Sequence, residues 1–230
     1  MSGMRKAVVG LAGLVLAGGA CLGGIAAAPV AGAASAACGH SCSSLYNQKF
    51  GTADVSAVSK GTAAPNQAVD LAAAAPSTTE DWEVSFQGTV NDFFNAGLIN
   101  QTLDEHYGTD GAFEFQYTPG GISSGLCLGI ASGPAQGTTV TLQPCGVTVR
   151  TVWINDAADA SGGYAPYVSG NGTQYPAPFV LTAGKVGGHF TTKALRTNKK
   201  GVIAKAQMWQ LISGVLPSYH DRGLTGGTGA

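Results

Sequence analysis

The chain has 230 residues, with 12 Lys and Arg against 13 Asp and Glu, 11% charged and 44% hydrophobic residues, and 35 glycines. These numbers fit one compact domain with tails, and a formal charge of −1 offers no basic surface of the kind a nucleic-acid partner requires. Much of the apolar fraction is alanine, and no apolar run of membrane-spanning length lies outside the N-terminus.

Arg5 and Lys6 precede the apolar stretch AVVGLAGLVLAGGACLGG, and no charged residue occurs from Ala7 to Gln48. That is the charged n-region and apolar h-region of a secretory signal peptide. Two small-residue cleavage sites follow, Ala31-Gly32-Ala33 and Ala34-Ser35-Ala36. The second is preferred, so residues 1–36 read as the signal peptide of a secreted, extracellular protein with no membrane span left after cleavage. Loss of Arg5 and Lys6 leaves 10 basic and 13 acidic residues, a charge of −3. The Gly and Ala content makes the run weakly hydrophobic for an uncleaved anchor. Cys21 as a lipoprotein acceptor would require a leucine where Gly18 stands.

Export decides the cysteines. Cys38, Cys42, Cys127 and Cys145 remain, an even number in an oxidising compartment. Four cysteines allow three pairings, and proximity favours Cys38–Cys42 and Cys127–Cys145, so residues 37–42 read as a disulfide-tied N-terminal segment. Metal binding by Cys38, His40 and Cys42 would compete with oxidation, and His106, His189 and His220 form no second ligand cluster. No metal or cofactor is expected.

Beyond residue 43, short β-prone runs recur between Gly, Pro, Ser and Asn clusters: Ala53–Val58, Ala68–Ala72, Trp82–Phe86, Phe113–Tyr117, Leu126–Ala131, Thr138–Leu142, Val152–Asn155, Phe179–Thr182, Thr191–Leu195 and Met208–Ser213. The pattern is all-β. One short helix is predicted within Val90 to Leu103, opened by Asn91 as its cap and weakened by Gly97. The tail from Pro217 to Ala230, rich in Gly and Thr, reads as disordered.

Each tryptophan closes a similar unit. The first runs from Asp54-Val55 through Gln67-Ala68-Val69-Asp70-Leu71 to Glu80-Asp81-Trp82. The second has Cys127-Leu128-Gly129-Ile130, then Gly137-Thr138-Thr139-Val140-Thr141-Leu142-Gln143-Pro144-Cys145, then Thr151-Val152-Trp153. The third has Phe179-Val180-Leu181-Thr182, Thr192-Lys193-Ala194-Leu195 and Gln207-Met208-Trp209. This resembles the ricin-type β-trefoil, whose repeats read C-L-D-V, G-x-x-V-x-L-x-x-C and Q-x-W. More narrowly, it is similar to secreted trefoil-like proteins of actinobacteria. The resemblance covers residues 43–216. It implies a β-trefoil with three degenerate repeats, insertions near Gln87–Tyr107 and Asp156–Tyr175, and an intra-repeat Cys127–Cys145 disulfide. It also places Trp82, Trp153 and Trp209 in a shared core, with Gln207 satisfying backbone groups beside it.

The resemblance further implies where a sugar would bind: an Asp from the D-V segment, an aromatic platform after the V-x-L strand, and polar residues before the closing Trp. Asp54 matches the Asp in the first unit, but Ala72 stands at the platform. Gly129 and Gln143 occupy these places in the second unit, and Thr182 and Arg196 in the third. Asp54 is therefore the one retained ligand-binding candidate. The insertion aromatics Phe93, Phe94, Tyr107, Tyr164, Tyr167 and Tyr175 read as packing.

Two motifs suggest chemistry. Gly121-Ile122-Ser123-Ser124-Gly125 fits the G-x-S-x-G nucleophile elbow, yet Thr118-Pro119-Gly120 precedes it and the β-prone Leu126-Cys127-Leu128 follows, where a strand and a helix are required. Asp104-Glu105-His106 reads as a solvated loop, and Arg196, Lys199, Lys200 and Lys205 form a basic patch the size of a surface loop. The expected function is a secreted non-catalytic module with weak carbohydrate or cell-wall polymer binding. The alternatives are an extracellular structural or protein-partner-binding protein, then a secreted serine hydrolase.

Overall fold

The computed structural model describes residues 43–50, 54–58, 63–73, 81–146 and 148–213, with the side chains of 54–58, 73, 212 and 213 left aside. The expected signal peptide at residues 1–36, the expected Cys38–Cys42 tie and the tail from Pro217 lie outside the described residues. None of the described helices is long and apolar enough to cross a membrane.

Among the described residues, twelve strands and two α-helices follow one another: β1 Ser43–Asn47, β2 Asp54–Val58, β3 Val69–Ala73, β4 Trp82–Thr89, α1 Val90–Asn95, α2 Gln101–Tyr107, β5 Gly111–Tyr117, β6 Leu126–Ile130, β7 Thr138–Pro144, β8 Val152–Asn155, β9 Tyr167–Ser169, β10 Phe179–Thr182, β11 Thr191–Ala194 and β12 Trp209–Ser213. Strands β1, β4, β5, β8, β9 and β12 pair in a ring. The bridge Ala165↔Trp209, just before β9, closes it. The hairpins β2–β3, β6–β7 and β10–β11 cap the barrel. Each repeat therefore contributes two barrel strands and one cap hairpin, which is the trefoil arrangement.

The three hairpins interlock about a pseudo-three-fold axis through equivalent cross-hairpin pairs, Ala68↔Thr141, Thr139↔Thr191 and Asp70↔His189. Phe190 N–H donates to Val69 O and Val140 N–H donates to Phe190 O, both at 2.9 Å. Val69, Val140 and Phe190, all fully buried, therefore hold the same repeat position. Phe190-Thr191-Thr192 is the third V-x-L segment, three residues before the place the expected Thr192-Lys193-Ala194-Leu195 alignment gave it. A phenyl ring replaces the β-branched residue there and packs edge-on against Trp209 at 4.9 Å.

Inside the barrel, Trp82, Trp153 and Trp209 pack with Leu45, Leu71, Phe115, Leu128, Leu142 and Leu181. A second cluster lies between the helices and the strands behind them, where Val90, Phe93, Ile99, Leu103 and Tyr107 meet Ala112, Val152, Ile154, Val168 and Val180. The first expected insertion thus holds two helices in place of the predicted one. Thr89, not Asn91, caps α1 through a reciprocal capping box with Asp92, and Asn100 caps α2 by accepting from Leu103 N–H. Gly97, at φ 75°, turns the chain between them.

Cys127 and Cys145 form a disulfide across the second hairpin. The buried Glu114 on β5 accepts from Gly146 N–H at 3.0–3.1 Å and from Thr151 Oγ1–H. A barrel strand thereby holds both ends of the connection from that hairpin to β8.

Candidate functional site

The hairpin register tests where a family-type sugar site would stand. Val58 pairs with Val69 and Ile130 with Val140. The acidic position is therefore Ala57 opposite Asp70, Gly129 opposite Thr141, and Thr182 opposite Thr191. Asp54 pairs with Ala73, the equivalent of Leu126 with Pro144, three residues before that position. Its side chain lies outside the described set.

Physical reasons keep the other two positions from serving. A Cβ on Gly129 would meet Arg150 O at 2.7 Å and Thr151 Cγ2 at 3.0 Å, so no acidic side chain fits. Thr182 Oγ1 points inward, donating to Val180 O at 3.1 Å and accepting from Gln207 Nε2–H at 3.3 Å. The same buried Gln207 donates to Ala194 O at 2.9 Å and accepts from Arg196 N–H at 2.8 Å. The platform positions are Ala72, Gln143 and Lys193, the last replacing the expected Arg196. Gln143 is buried and donates to Asn66 Oδ1 and Thr141 Oγ1 at 2.9 and 2.8 Å.

The insertion aromatics divide. Phe93, Tyr107 and Tyr167 are buried, whereas half-exposed Tyr175 stacks on His106 with ring centroids 3.4 Å apart. Asp104-Glu105-His106 lies on α2, not in a loop: Asp104 accepts from Asn91 Nδ2–H and Glu105 from Gln101 Nε2–H. Ser123 occupies a strand-to-strand turn between β5 and β6. It accepts from Gln116 Nε2–H at 2.5 Å and Gly125 N–H at 3.3 Å, and Ser124 donates to Tyr117 O at 2.7 Å. No nucleophile elbow forms there. No group of three or more His, Cys, Asp or Glu able to hold a metal occurs among the described residues.

A groove of about 360 Å³ with mixed chemistry lies among the described residues, and sequence reading missed it because its walls come from segments far apart in the chain. One wall is Ala158–Ser161 after β8, and the other is Gly201–Lys205 after β11, with Gln48 and Met208 between them. Buried Ile203 and Met208 and exposed Val202 give it an apolar floor and lip. Asp159, Ser161, Gln48 and Lys205 supply its polar atoms. Asp156 fixes the first wall by accepting from Asp159 N–H at 3.2 Å. Burial, then the Asp159 carboxylate, pushes Asp156 up to about 6.

No family model and no curated protein matches the chain. Solved structures do. A designed three-fold symmetric protein, ThreeFoil, is similar with a TM-score of 0.50 and 12% identity over 75% of this chain and 99% of that one. The β-trefoil lectin of Vibrio vulnificus hemolysin/cytolysin, solved with N-acetyl-D-lactosamine bound, gives 0.45 and 11% over 76% and 96%. The receptor-binding domain of a botulinum neurotoxin C/D mosaic serotype gives 0.46 and 10% over 77% of this chain and 42% of that one. At such identities the likeness is one of fold, and the fold of this chain is an all-β β-trefoil.

Proposed function

We propose that this protein is an exported, non-catalytic β-trefoil module that binds a glycan or cell-wall polymer weakly. The groove between residues 158–161 and 201–205 takes the place of the three hairpin positions suggested by the ricin-type resemblance. The observation that carries the reading is that groove's make-up. A saccharide presents hydroxyls on its edge and C–H groups on its faces, and the groove sets acceptors and donors on Asp159, Gln48, Ser161 and Lys205 around apolar Val202, Ile203 and Met208. Without a stacked aromatic in this lining the ligand forfeits the platform contribution, which favours weak binding. Export is supported by the signal-like N-terminus and by the Cys127–Cys145 disulfide. A non-catalytic role is supported by Ser123 in a turn without elbow geometry.

The test is an array of glycans and cell-wall polysaccharides probed with wild type, Asp159→Ala and Asp54→Ala. Saturable binding lost in Asp159→Ala and kept in Asp54→Ala is expected. Loss in Asp54→Ala alone would return the site to the first hairpin. No binding to any polymer at high micromolar protein would replace this reading with that of a protein-partner-binding trefoil.

A further inference from the structure

Charge is sharply segregated along this nearly neutral chain. Between Lys60 and Arg150 lie nine acidic residues, Asp70, Glu80, Asp81, Glu83, Asp92, Asp104, Glu105, Asp110 and Glu114, and no Lys or Arg. Between Asp159 and Asp221 lie six basic residues, Lys185, Lys193, Arg196, Lys199, Lys200 and Lys205, and no Asp or Glu. The third repeat is thus purely cationic although the molecule as a whole is not.

The fold concentrates most of that charge on one feature beside the groove. After β11 the chain forms a short tongue, with Thr197 bridging Ile203, Asn198 N–H donating to Val202 O at 2.9 Å and Ala204 N–H to Arg196 O at 3.0 Å. The tip is built. Asn198 Oδ1 accepts from Lys200 and Val202 N–H at 2.8 and 3.1 Å, Gly201 N–H donates to Asn198 O at 2.9 Å, and Gly201 takes φ 77°. Arg196, Lys199, Lys200 and Lys205 are all exposed on it. Three residues of extended chain span about 10 Å, so Arg196 at the base and Lys199 at the tip stand within roughly one Debye length at physiological salt. Their fields reinforce one another. Lys205 also lines the groove, so the cationic tongue and the hydroxyl-binding groove share a wall.

We propose that the ligand of this module is a hydroxyl-bearing polyanion, a polymer carrying phosphodiester or carboxylate groups. Its anionic groups lie along Arg196, Lys199 and Lys200 while a hydroxylated unit enters the groove past Lys205. The inference rests on the binding-module reading above. A glycan-type polyanion is favoured over nucleic acid because the wall adjoining the cationic tongue offers Asp159, an acceptor suited to the free hydroxyls that a duplex backbone lacks.

The test measures binding of the mature protein to immobilised poly(glycerol phosphate), polygalacturonate, neutral dextran and duplex DNA, with wild type and the double variant Lys199→Glu/Lys200→Glu. Unchanged thermal melting of the variant secures its fold. Binding to poly(glycerol phosphate) or polygalacturonate is expected to exceed that to dextran by roughly tenfold or more. It should weaken about as much in the variant, and again on raising salt from about 0.02 to about 0.3 M. The better of the two polyanions identifies the anionic group. Binding to dextran equal to that of the polyanions and untouched in the variant would overturn the polyanion inference while leaving the module reading intact. Binding to DNA at least as tight as to the glycan polyanions would overturn it in favour of nucleic acid. Binding to none of the four would overturn the polyanion inference and leave the module reading to the glycan array.

Discussion

The indole N–H of Trp153 donates to the carbonyl oxygen of Leu128 at 2.9 Å, and Trp209 makes the same bond to Leu181 at 2.9 Å. Leu128 and Leu181 hold equivalent places in the second and third hairpins, opposite Leu142 and Thr192. Trp153 and Trp209 therefore each tie a barrel strand to the cap hairpin of their own repeat while filling the shared core.

Replacing Trp153 should separate these two contributions. Trp153→Phe keeps most of the volume but leaves the buried Leu128 carbonyl unpaired, a cost of about 1–3 kcal/mol. Trp153→Ala adds the cavity and should cost about 3–5 kcal/mol. Urea denaturation of both variants, with Trp209→Phe as the three-fold equivalent, checks it.

The second prediction concerns Glu114. Its carboxylate serves Gly146 N–H and the Thr151 hydroxyl from a buried position. Glu114→Ala leaves those donors unpaired and should cost about 2–3 kcal/mol. Reduction of Cys127–Cys145 should cost roughly 3 kcal/mol on the loop-closure estimate. Because both act on the same hairpin end, a cycle combining them should be non-additive.

Acid titration offers a third measurement. Asp156 binds its proton more tightly in the folded state, where burial and Asp159 raise its pKa from 3.8 to about 6. The native state therefore holds more protons than the unfolded state between these values, and stability falls as pH rises from about 4 to about 6. Asp156→Asn keeps the acceptor for Asp159 N–H and removes the charge. It should flatten that slope and stabilise the protein at pH 7 by about 1–2 kcal/mol, after discounting for partial solvation. Asp81 and Asp110, both also raised by burial, account for the slope that remains.

The helical insertion should prove integral to the domain. Leu103 is fully buried against the outer side of the barrel strands. Leu103→Ala should cost about 2–5 kcal/mol in the single global transition seen by fluorescence of the barrel tryptophans. A separate early transition that spares those tryptophans would show instead an independently melting appendage.

Much of the fold was legible because its repeats carry the signal. The ten predicted strands coincide with β2–β8 and β10–β12, with ends displaced by a few residues. The two strands missed lack a period-two pattern. In β1, Ser43, Ser44 and Asn47 are buried beside Leu45 and Tyr46, with Asn47 Nδ2–H donating to Ala206 and Met208 carbonyls at 3.1 and 3.2 Å. β9 is three buried residues between Pro166 and Gly170. The site was far less legible. Asp54 matched a motif by residue type, while the hairpin register puts Ala57 at that place, and register depends on tertiary pairing that one sequence does not print. Gly129 looked like a lost acid; its position is closed by the Arg150 carbonyl.

Whether a polyanion binds in the groove and not at the hairpins is read most directly by an amide chemical-shift titration of the 15N-labelled protein with poly(glycerol phosphate) oligomers. Saturable shifts are expected at Gln48, Asp159, Ser161, Lys199, Lys200, Val202 and Lys205. Shifts confined to Asp54, Ala57, Gly129 and Thr182 would contradict binding in the groove.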